Sequence, residues 1–157
     1  MSKLIYFVDD DKMILNLLEY TINNRQGYEV RTFISGEECL KHLDANPQLI
    51  VLDHLFNSQD NKAMNGLEIL KNIRSKNKNI PVIILSGKGN DNLAAEYIRN
   101  GANQYIPKND YFVDILMQTI DKLMQNNWIL FSSPLAAPFF LRFLQVKCSS
   151  SFNPQET

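Results

Sequence analysis

The chain has 157 residues, 45% of them hydrophobic, which is the length of one ordinary domain and enough to bury a sizeable core. Its 16 basic and 17 acidic residues leave a formal net charge of −1, so the composition shows no excess of positive charge for binding nucleic acid or an anionic membrane. Cys39 and Cys148 lack the spacing of metal ligands or of a disulfide framework, and the N-terminal residues do not resemble a signal peptide. A reduced, cytoplasmic setting is therefore expected.

Five apolar runs have the character of strands. A short continuous apolar run bounded by polar residues is typical of a strand that is buried on both faces of a sheet. The clearest run follows the turn signal Asn46-Pro47 and ends abruptly at Asp53. The predicted strands cover residues 4–8, 28–33, 49–53, 80–85 and 104–106.

Segments with helical spacing separate these runs. Ile14, Leu15, Leu18 and Ile22 fall on one face of a first helix, and a capping box at 35–38 predicts the start of a second. Three further helices are predicted over 66–76, 91–100 and 110–125. Strands that alternate with helices favour right-handed βαβ units. We therefore expect an α/β fold, a flavodoxin-like doubly wound five-stranded parallel sheet with strand order 2-1-3-4-5 and helices on both faces.

Polar side chains stand where four of the strands end. Asp9 and Asp10 follow the first strand, Asp53 the third and Ser86 the fourth, and the fifth runs to Lys108. In the order 2-1-3-4-5 these groups converge on one edge of the sheet. Crowded carboxylates raise one another's pKa unless a cation neutralises them, and Mg²⁺ prefers such oxygen ligands together with phosphate oxygens. A hydroxyl and an ammonium group suit the charge of a phosphoryl group.

Five short motifs lie at the strand ends and turns: in chain order they are Val8-Asp9-Asp10, Leu52-Asp53, Ser86-Gly87, Gly101-Ala102 and Tyr105-Ile106-Pro107-Lys108. Together they resemble the receiver domains of two-component response regulators, of the chemotaxis-regulator type. Each motif is weakly informative alone, but five in this order and at suitable spacing are specific. The resemblance covers roughly residues 3–125.

The resemblance implies a phosphorylation site that depends on Mg²⁺. Asp53 is the phosphoacceptor in this interpretation, and Asp9 and Asp10 are the acidic pair of the metal site. Asp53 and the backbone carbonyl of Leu55 are the further metal ligands. The phosphoryl donor is a histidine kinase or a phosphotransfer protein, and the protein catalyses its own phosphorylation and dephosphorylation without being a conventional enzyme.

The resemblance also implies a conformational switch. Ser86 is the switch hydroxyl, Tyr105 is the switch aromatic residue, and Lys108 contacts the phosphoryl group. The switch changes a face that binds a downstream protein target, and a homodimer is one form this binding can take. No direct contact with nucleic acid and no membrane association are expected.

Three departures from the family pattern stand near the site, one of which is the absence of the family's usual Met-Pro after the phosphoacceptor. Asn109 follows Lys108 where the family usually has a proline joined through a cis bond, and a cis bond to a non-proline residue costs about 2.5–4 kcal/mol, so the geometry behind Lys108 is left open. The segment from Asp53 to Gly66 spans 13 positions, which is longer than usual in the family.

Two other functions compete with an active receiver. A phosphatase of the haloacid dehalogenase type also uses a nucleophilic Asp after a buried strand, but it needs a second Asp where this chain has Leu55. A degenerate receiver that serves only as a protein-interaction module is the other alternative, and the intact set of site residues argues against it.

Further predictions concern three polar residues and the C-terminal segment. Asp11 is predicted to be a helix N-cap, His54 an exposed loop residue and His42 a solvated helix residue. Residues 1–125 are expected to form the receiver domain, and 126–157 an apolar tail of unknown role that contributes no chemistry. Serine, proline and arginine interrupt the apolar part of this tail, which disfavours a transmembrane helix.

Overall fold

One parallel sheet of five strands, in the order β2-β1-β3-β4-β5, organises the structure, a computed structural model that describes residues 2–54, 64–87 and 89–126. The elements are β1 (Lys3–Val8), α1 (Lys12–Asn23), β2 (Tyr28–Phe33), α2 (Gly36–Lys41), a 3-10 turn (Leu43–Ala45), β3 (Leu49–Asp53), α3 (Gly66–Lys76), β4 (Val82–Ser86), α4 (Asp91–Arg99), β5 (Gln104–Pro107) and α5 (Phe112–Asn126). The α/β class and the strand order predicted from the sequence are confirmed.

The position of each strand in the sheet follows from its apolar pattern. Every residue of β3 and of β4 is buried, as expected for strands covered on both faces. In β2, at one edge of the sheet, half-buried and exposed positions alternate, and only the last residue, Phe33, is buried. The continuous apolar runs therefore lie at the centre of the sheet and the alternating run lies at its rim.

Helices cover both faces of the sheet. On one face, alternate strand residues such as Tyr6, Ile50 and Ile84 form a single core cluster with buried side chains of α2, α3 and α4. The intervening strand residues, such as Phe7 and Val51, are equally buried on the opposite face. The buried apolar residues of α1 and α5 remain to cover that second face.

Side-chain caps define where the helices begin. Asp11 accepts a hydrogen bond from the backbone N–H of Met13 at 2.8 Å, so the predicted N-cap of α1 is confirmed. Asn65 forms a complete capping box with Glu68 at the start of α3. α3 therefore begins directly after the long segment that follows Asp53.

The strand predicted from residue 80 begins two residues later. The carbonyl of Ile80 accepts a hydrogen bond from Arg74 Nη1 at 2.8 Å, and its N–H donates to Asn77 Oδ1 at 3.2 Å. Side chains thus satisfy the hydrogen-bonding groups of the Ile80 backbone, and Pro81 has no N–H to donate. The ladder of β4 starts at Val82 for this reason.

The last helix starts at Phe112 instead of residue 110. Asn109 Oδ1 accepts a hydrogen bond from the N–H of Tyr111 at 3.0 Å, and the carbonyl of Asn109 accepts one from the N–H of Phe112 at 3.1 Å. These bonds close a turn over the two residues that sequence spacing assigns to the helix.

The chain divides into a compact unit, Met1–Leu123, and a second unit, Met124–Thr157. Of the second unit, the described residues comprise only the end of α5. Most of the tail predicted over 126–157 and the residue Leu55 lie outside the described residues.

Candidate functional site

The carboxyl edge of the central strands concentrates the buried polar groups. Among the residues that the structure describes, the buried side chains classed as polar or charged are Asp9 at the end of β1, Asp53 at the end of β3 and Ser86 at the end of β4. Burial of a charge is costly unless the charge is paired. Two carboxylates at this depth therefore require a nearby cation.

Lys108 supplies that cation. Its Nζ donates to Asp9 Oδ2 at 2.6 Å and lies 2.7 Å from Asp53 Oδ1, and its side chain is only 18% exposed. Burial alone lowers the pKa of Lys108, but the hydrogen bonds and charges of Asp53 and Asp9 outweigh it and raise the pKa above its ordinary value. The ammonium group is therefore charged and bridges the two carboxylates.

The backbone places Lys108 without a cis peptide bond. The described peptide bonds are all trans, including the one from Lys108 to Asn109. The N–H of Lys108 donates to the carbonyl of Ser86 at 2.7 Å, which extends the pairing of β4 and β5 by one residue. The missing proline thus does not prevent the lysine from reaching the carboxylates.

Three carboxylates could hold a metal ion at this edge. Ligand atoms of Asp9, Asp10 and Asp53 all lie within 4.8 Å of one another. Burial raises the pKa of Asp9, and the charge of Asp53 adds to this, while bonds from Lys108 and from the N–H of Asp11 act in the opposite direction. A set made of carboxylate oxygens fits a hard divalent cation such as Mg²⁺.

Ser86 and Tyr105, the predicted switch residues, lie on β4 and β5. Ser86 is fully buried and pairs in register with Pro107, while Tyr105 is half-buried and pairs with Ile84. The ring of Tyr105 lies beside the ring of Tyr97, with centroids 6.1 Å apart and planes inclined by 36°. Their switch roles stay predictions.

His54 is not the exposed loop residue that the sequence predicts. It is half-buried, and its Nδ1 shares a hydrogen bond of 2.7 Å with the hydroxyl of Tyr97, which is fully buried on α4. The N–H of His54 donates to the carbonyl of Leu85 at 2.8 Å, so the backbone continues the pairing of β3 with β4 past Asp53. The expected solvation of His42 agrees with its exposed position.

Tyr97 is the residue near the site that sequence reasoning missed. Its only sequence signal is a phenol on the apolar face of a helix, at the i+4 position from Leu93. Burial raises the pKa of Tyr97 above its ordinary value, and the negative charge of Asp53 raises it further. The hydroxyl is therefore neutral and lies close enough to the site to be affected by its charge.

Gly66 leaves the space in which these groups meet. A Cβ atom at this position would lie 2.6 Å from the carbonyl oxygen of Asp53, 2.8 Å from the hydroxyl of Tyr97 and 3.0 Å from the carbonyl oxygen of His54. Two of these three neighbours are backbone atoms that cannot rotate away. The first residue of α3 must therefore be a glycine for the site to keep this geometry.

Gly66→Ala is expected to lower the free energy of unfolding by about 1–3 kcal/mol, the usual cost of overpacking a well-packed position. Gly89→Ala is the matched control, because a Cβ atom at Gly89 meets nothing within 4 Å. Urea titration of both variants checks the difference. Equal stability of the two variants would show that the contacts at Gly66 relax without cost.

Hydrogen bonds close the base of the long segment that joins β3 to α3. The N–H of Gly66 donates to the carbonyl of His54 at 3.3 Å. The N–H of Met64 donates to Glu37 Oε1, on α2, at 2.7 Å. The two flanks of residues 55–63 are thus tied to each other and to the core.

Comparison with known proteins identifies the family of this fold and site. The response regulator receiver domain model matches residues 5–121. The chain is 35% identical over 109 residues to the alkaline phosphatase synthesis transcriptional regulatory protein PhoP of Bacillus subtilis, across 69% of this chain and 43% of PhoP. It is 30% identical over 125 residues to the transcriptional regulatory protein CssR of the same organism, across 80% of this chain and 52% of CssR.

A solved structure agrees with these relatives. The receiver domain of the Francisella response regulator 1452 superposes with a TM-score of 0.70 at 26% identity, covering 80% of this chain and 99% of that domain. The chain spans about half the length of the curated relatives it matches. None of the helices in the described ranges combines the length and the apolar composition of a membrane span. By its fold and by the family match over most of its length, the chain belongs to the response regulator receiver domains of two-component systems.

Proposed function

We propose that Asp53 accepts a phosphoryl group from a histidine kinase or a phosphotransfer protein in a Mg²⁺-dependent reaction, and that this changes a protein-binding face. The observation that carries the proposal is the bridge from Lys108 to Asp9 and Asp53, at a buried edge that also presents Asp10. Family membership supports it independently.

The metal ligands in this proposal are Asp9, Asp10 and Asp53, with the backbone carbonyl of Leu55, which lies outside the described residues. When bound, Mg²⁺ screens the negative charge of the phosphoryl oxygens. The carboxylates present a cluster of oxygens within 4.8 Å, which suits that ion.

The reaction itself is an in-line displacement at phosphorus. A carboxylate oxygen of Asp53 forms the new P–O bond while the P–N bond of the donor phosphohistidine breaks, and the electron pair of that bond stays on the imidazole nitrogen. The ammonium group of Lys108 is already 2.7 Å from Asp53 Oδ1. It is therefore positioned to stabilise the negative charge of the phosphoryl oxygens without moving far.

The switch in this proposal runs through β4 and β5. The hydroxyl of Ser86 is drawn to the new phosphoryl group, and Tyr105 moves into the space that it vacates. The face that responds consists of α4, β5 and α5, and it binds a downstream protein or a second copy of the chain. Direct contact with nucleic acid is not proposed for this chain, although the relatives above are named as transcriptional regulators.

Two further expectations belong to the same proposal. Residues 1–125 act as the receiver, and residues 126–157 add no chemistry. The protein works in the cytoplasm, where its kinase or phosphotransfer partner has access to Asp53.

Intact mass spectrometry after incubation with acetyl phosphate and Mg²⁺ tests the proposal. An active receiver gains one phosphoryl group, and addition of EDTA before the phosphodonor prevents the gain. A folded protein that takes up no label from acetyl phosphate or from phosphoramidate would instead support a degenerate receiver that acts only as an interaction module.

A further inference from the structure

We propose that Tyr97, held by its hydrogen bond to His54, is a positioning residue that transmits the phosphorylation state of Asp53 to α4. The inference rests on the proposed function and adds a second connection between the site and the responding face, which starts at His54 instead of Ser86. It follows from the contacts of a buried tyrosine for which the phosphoryl chemistry itself has no use.

The first step of this connection is the backbone between Asp53 and His54. The two residues are adjacent in sequence, and the N–H of His54 is bonded to the carbonyl of Leu85 at 2.8 Å. The imidazole, in contrast, leaves the sheet and meets the hydroxyl of Tyr97 at 2.7 Å, with the two rings edge to face at 89°. A displacement at Asp53 therefore reaches Tyr97 through one residue.

The second step is the close packing around the hydroxyl of Tyr97. Tyr97 is fully buried, and its hydroxyl occupies space that only a glycine at position 66 leaves free. Its ring lies next to that of Tyr105, 6.1 Å between centroids. Because packed interiors transmit small displacements instead of absorbing them, a shift of Tyr97 changes the space available to Tyr105.

The third step is the end of α4. The carbonyl of Tyr97 accepts hydrogen bonds from the N–H groups of Asn100 at 3.1 Å and Ala102 at 3.0 Å. These bonds form the turn that joins α4 to β5. A shift of Tyr97 is therefore a shift of the last turn of α4.

The fourth step is the change of charge at Asp53. A phosphoryl group carries about −1.5 to −2 charges at neutral pH, more than the carboxylate it replaces. The charge on Asp53 already acts on the Tyr97 hydroxyl. The hydroxyl of Tyr97, which shares the hydrogen bond with His54, therefore lies within reach of the change in electrostatic potential that phosphorylation brings.

Tyr97→Phe tests the inference because it removes one oxygen atom and keeps the ring. The measurement is amide hydrogen exchange of residues 91–102, with and without acetyl phosphate and Mg²⁺. We expect the protection of these residues in wild type to change on phosphorylation. In Tyr97→Phe we expect this change to be reduced, because the equilibrium between the two conformations of α4 shifts by about fivefold, which corresponds to the loss of one hydrogen bond. Labelling of Asp53 is expected to be unchanged.

Tyr6→Phe is the matched control. Tyr6 is also fully buried, and its hydroxyl donates to the carbonyl of His42 at 2.8 Å, so the substitution removes a comparable bond that touches none of the groups around Asp53. If α4 responds in Tyr6→Phe as it does in wild type, then the reduced response of Tyr97→Phe reflects coupling to Asp53 and not a general loss of stability.

His54→Phe provides an independent route should Tyr97→Phe fold poorly. Removal of the imidazole is expected to reduce the response of α4 as Tyr97→Phe does, and the double variant is expected to lose no more than either single variant. The inference would be overturned if labelled Tyr97→Phe or His54→Phe shows the full wild-type response. It would also be overturned if α4 of labelled wild type does not respond. Either result would leave phosphorylation of Asp53 intact. A wild type that takes up no label would overturn both.

Discussion

Asp53→Asn is expected to abolish phosphoryl labelling by acetyl phosphate while the protein stays folded. The amide has the shape of the carboxylate but lacks the negatively charged oxygen that attacks phosphorus. Its oxygen still accepts a hydrogen bond from Lys108, and one charge fewer relieves the repulsion between Asp53 and Asp9. The expected result is complete loss of the phosphorylated species in the intact mass spectrum, with an unchanged circular dichroism spectrum.

Asp114→Asn is the control for this change, because Asp114 is an exposed residue of α5. It is expected to take up label like wild type. Stoichiometric labelling of Asp53→Asn at another residue would contradict the assignment of Asp53. Unfolding of that variant would point to a structural need for the negative charge.

Lys108→Met is expected to lower the free energy of unfolding in EDTA by up to about 3–5 kcal/mol, the cost of leaving a buried charge without its partner. Asp9 and Asp53, which both lie against the ammonium group, then lose the positive charge that it provides. Protonation of one carboxylate offsets part of the cost. Mg²⁺ is expected to restore more stability to Lys108→Met than it adds to wild type, as measured by urea titration at increasing Mg²⁺ concentration.

Lys122→Met controls for the loss of a lysine, since Lys122 is exposed on α5. It is expected to unfold like wild type with and without Mg²⁺. If Lys108→Met is as stable as Lys122→Met in EDTA, then the bridge does not neutralise the buried carboxylates.

The stability difference between wild type and Lys108→Met is also expected to depend on pH. The pKa of Lys108 is raised above 10.5 in the folded protein, so its ion pairs stabilise the fold fully below pH 10.5 and this contribution is lost as the pH rises through the folded pKa. Wild type is therefore expected to lose stability more steeply above pH 10.5 than Lys108→Met does. Tyrosines with raised pKa values contribute equally to both proteins and cancel in the comparison.

The fold could be predicted because local patterns and tertiary position agree. Continuous apolar runs became the central strands, and the polar residue that ends each run marked the carboxyl edge of the sheet. Parallel strands align these ends, so the approach of Asp9, Asp53 and Lys108 followed from strand order alone. The family match confirms the interpretation of these ends as a receiver, while the individual roles stay predictions.

The contacts around Tyr97 could not be predicted in this way. They depend on how α4 lies over the sheet, and helical periodicity specifies which face is buried but not which side chain it meets. His54 appeared to be a loop residue because nothing local shows that α4 covers it. The need for glycine at position 66 has the same origin, since the clash is with atoms distant from α3 in sequence or belonging to α4.

The bond from the N–H of Gly66 to the carbonyl of His54 also holds the chain together on either side of residues 55–63. Once the two ends of a segment are held together, doubling its length costs only about 0.6 kcal/mol of additional closure entropy. Residues 56–63, which follow the proposed metal ligand Leu55, are thus a suitable place for an insertion in protein engineering. A fluorescent or affinity module inserted there would lie close in sequence to the phosphoacceptor and is expected to report on its state.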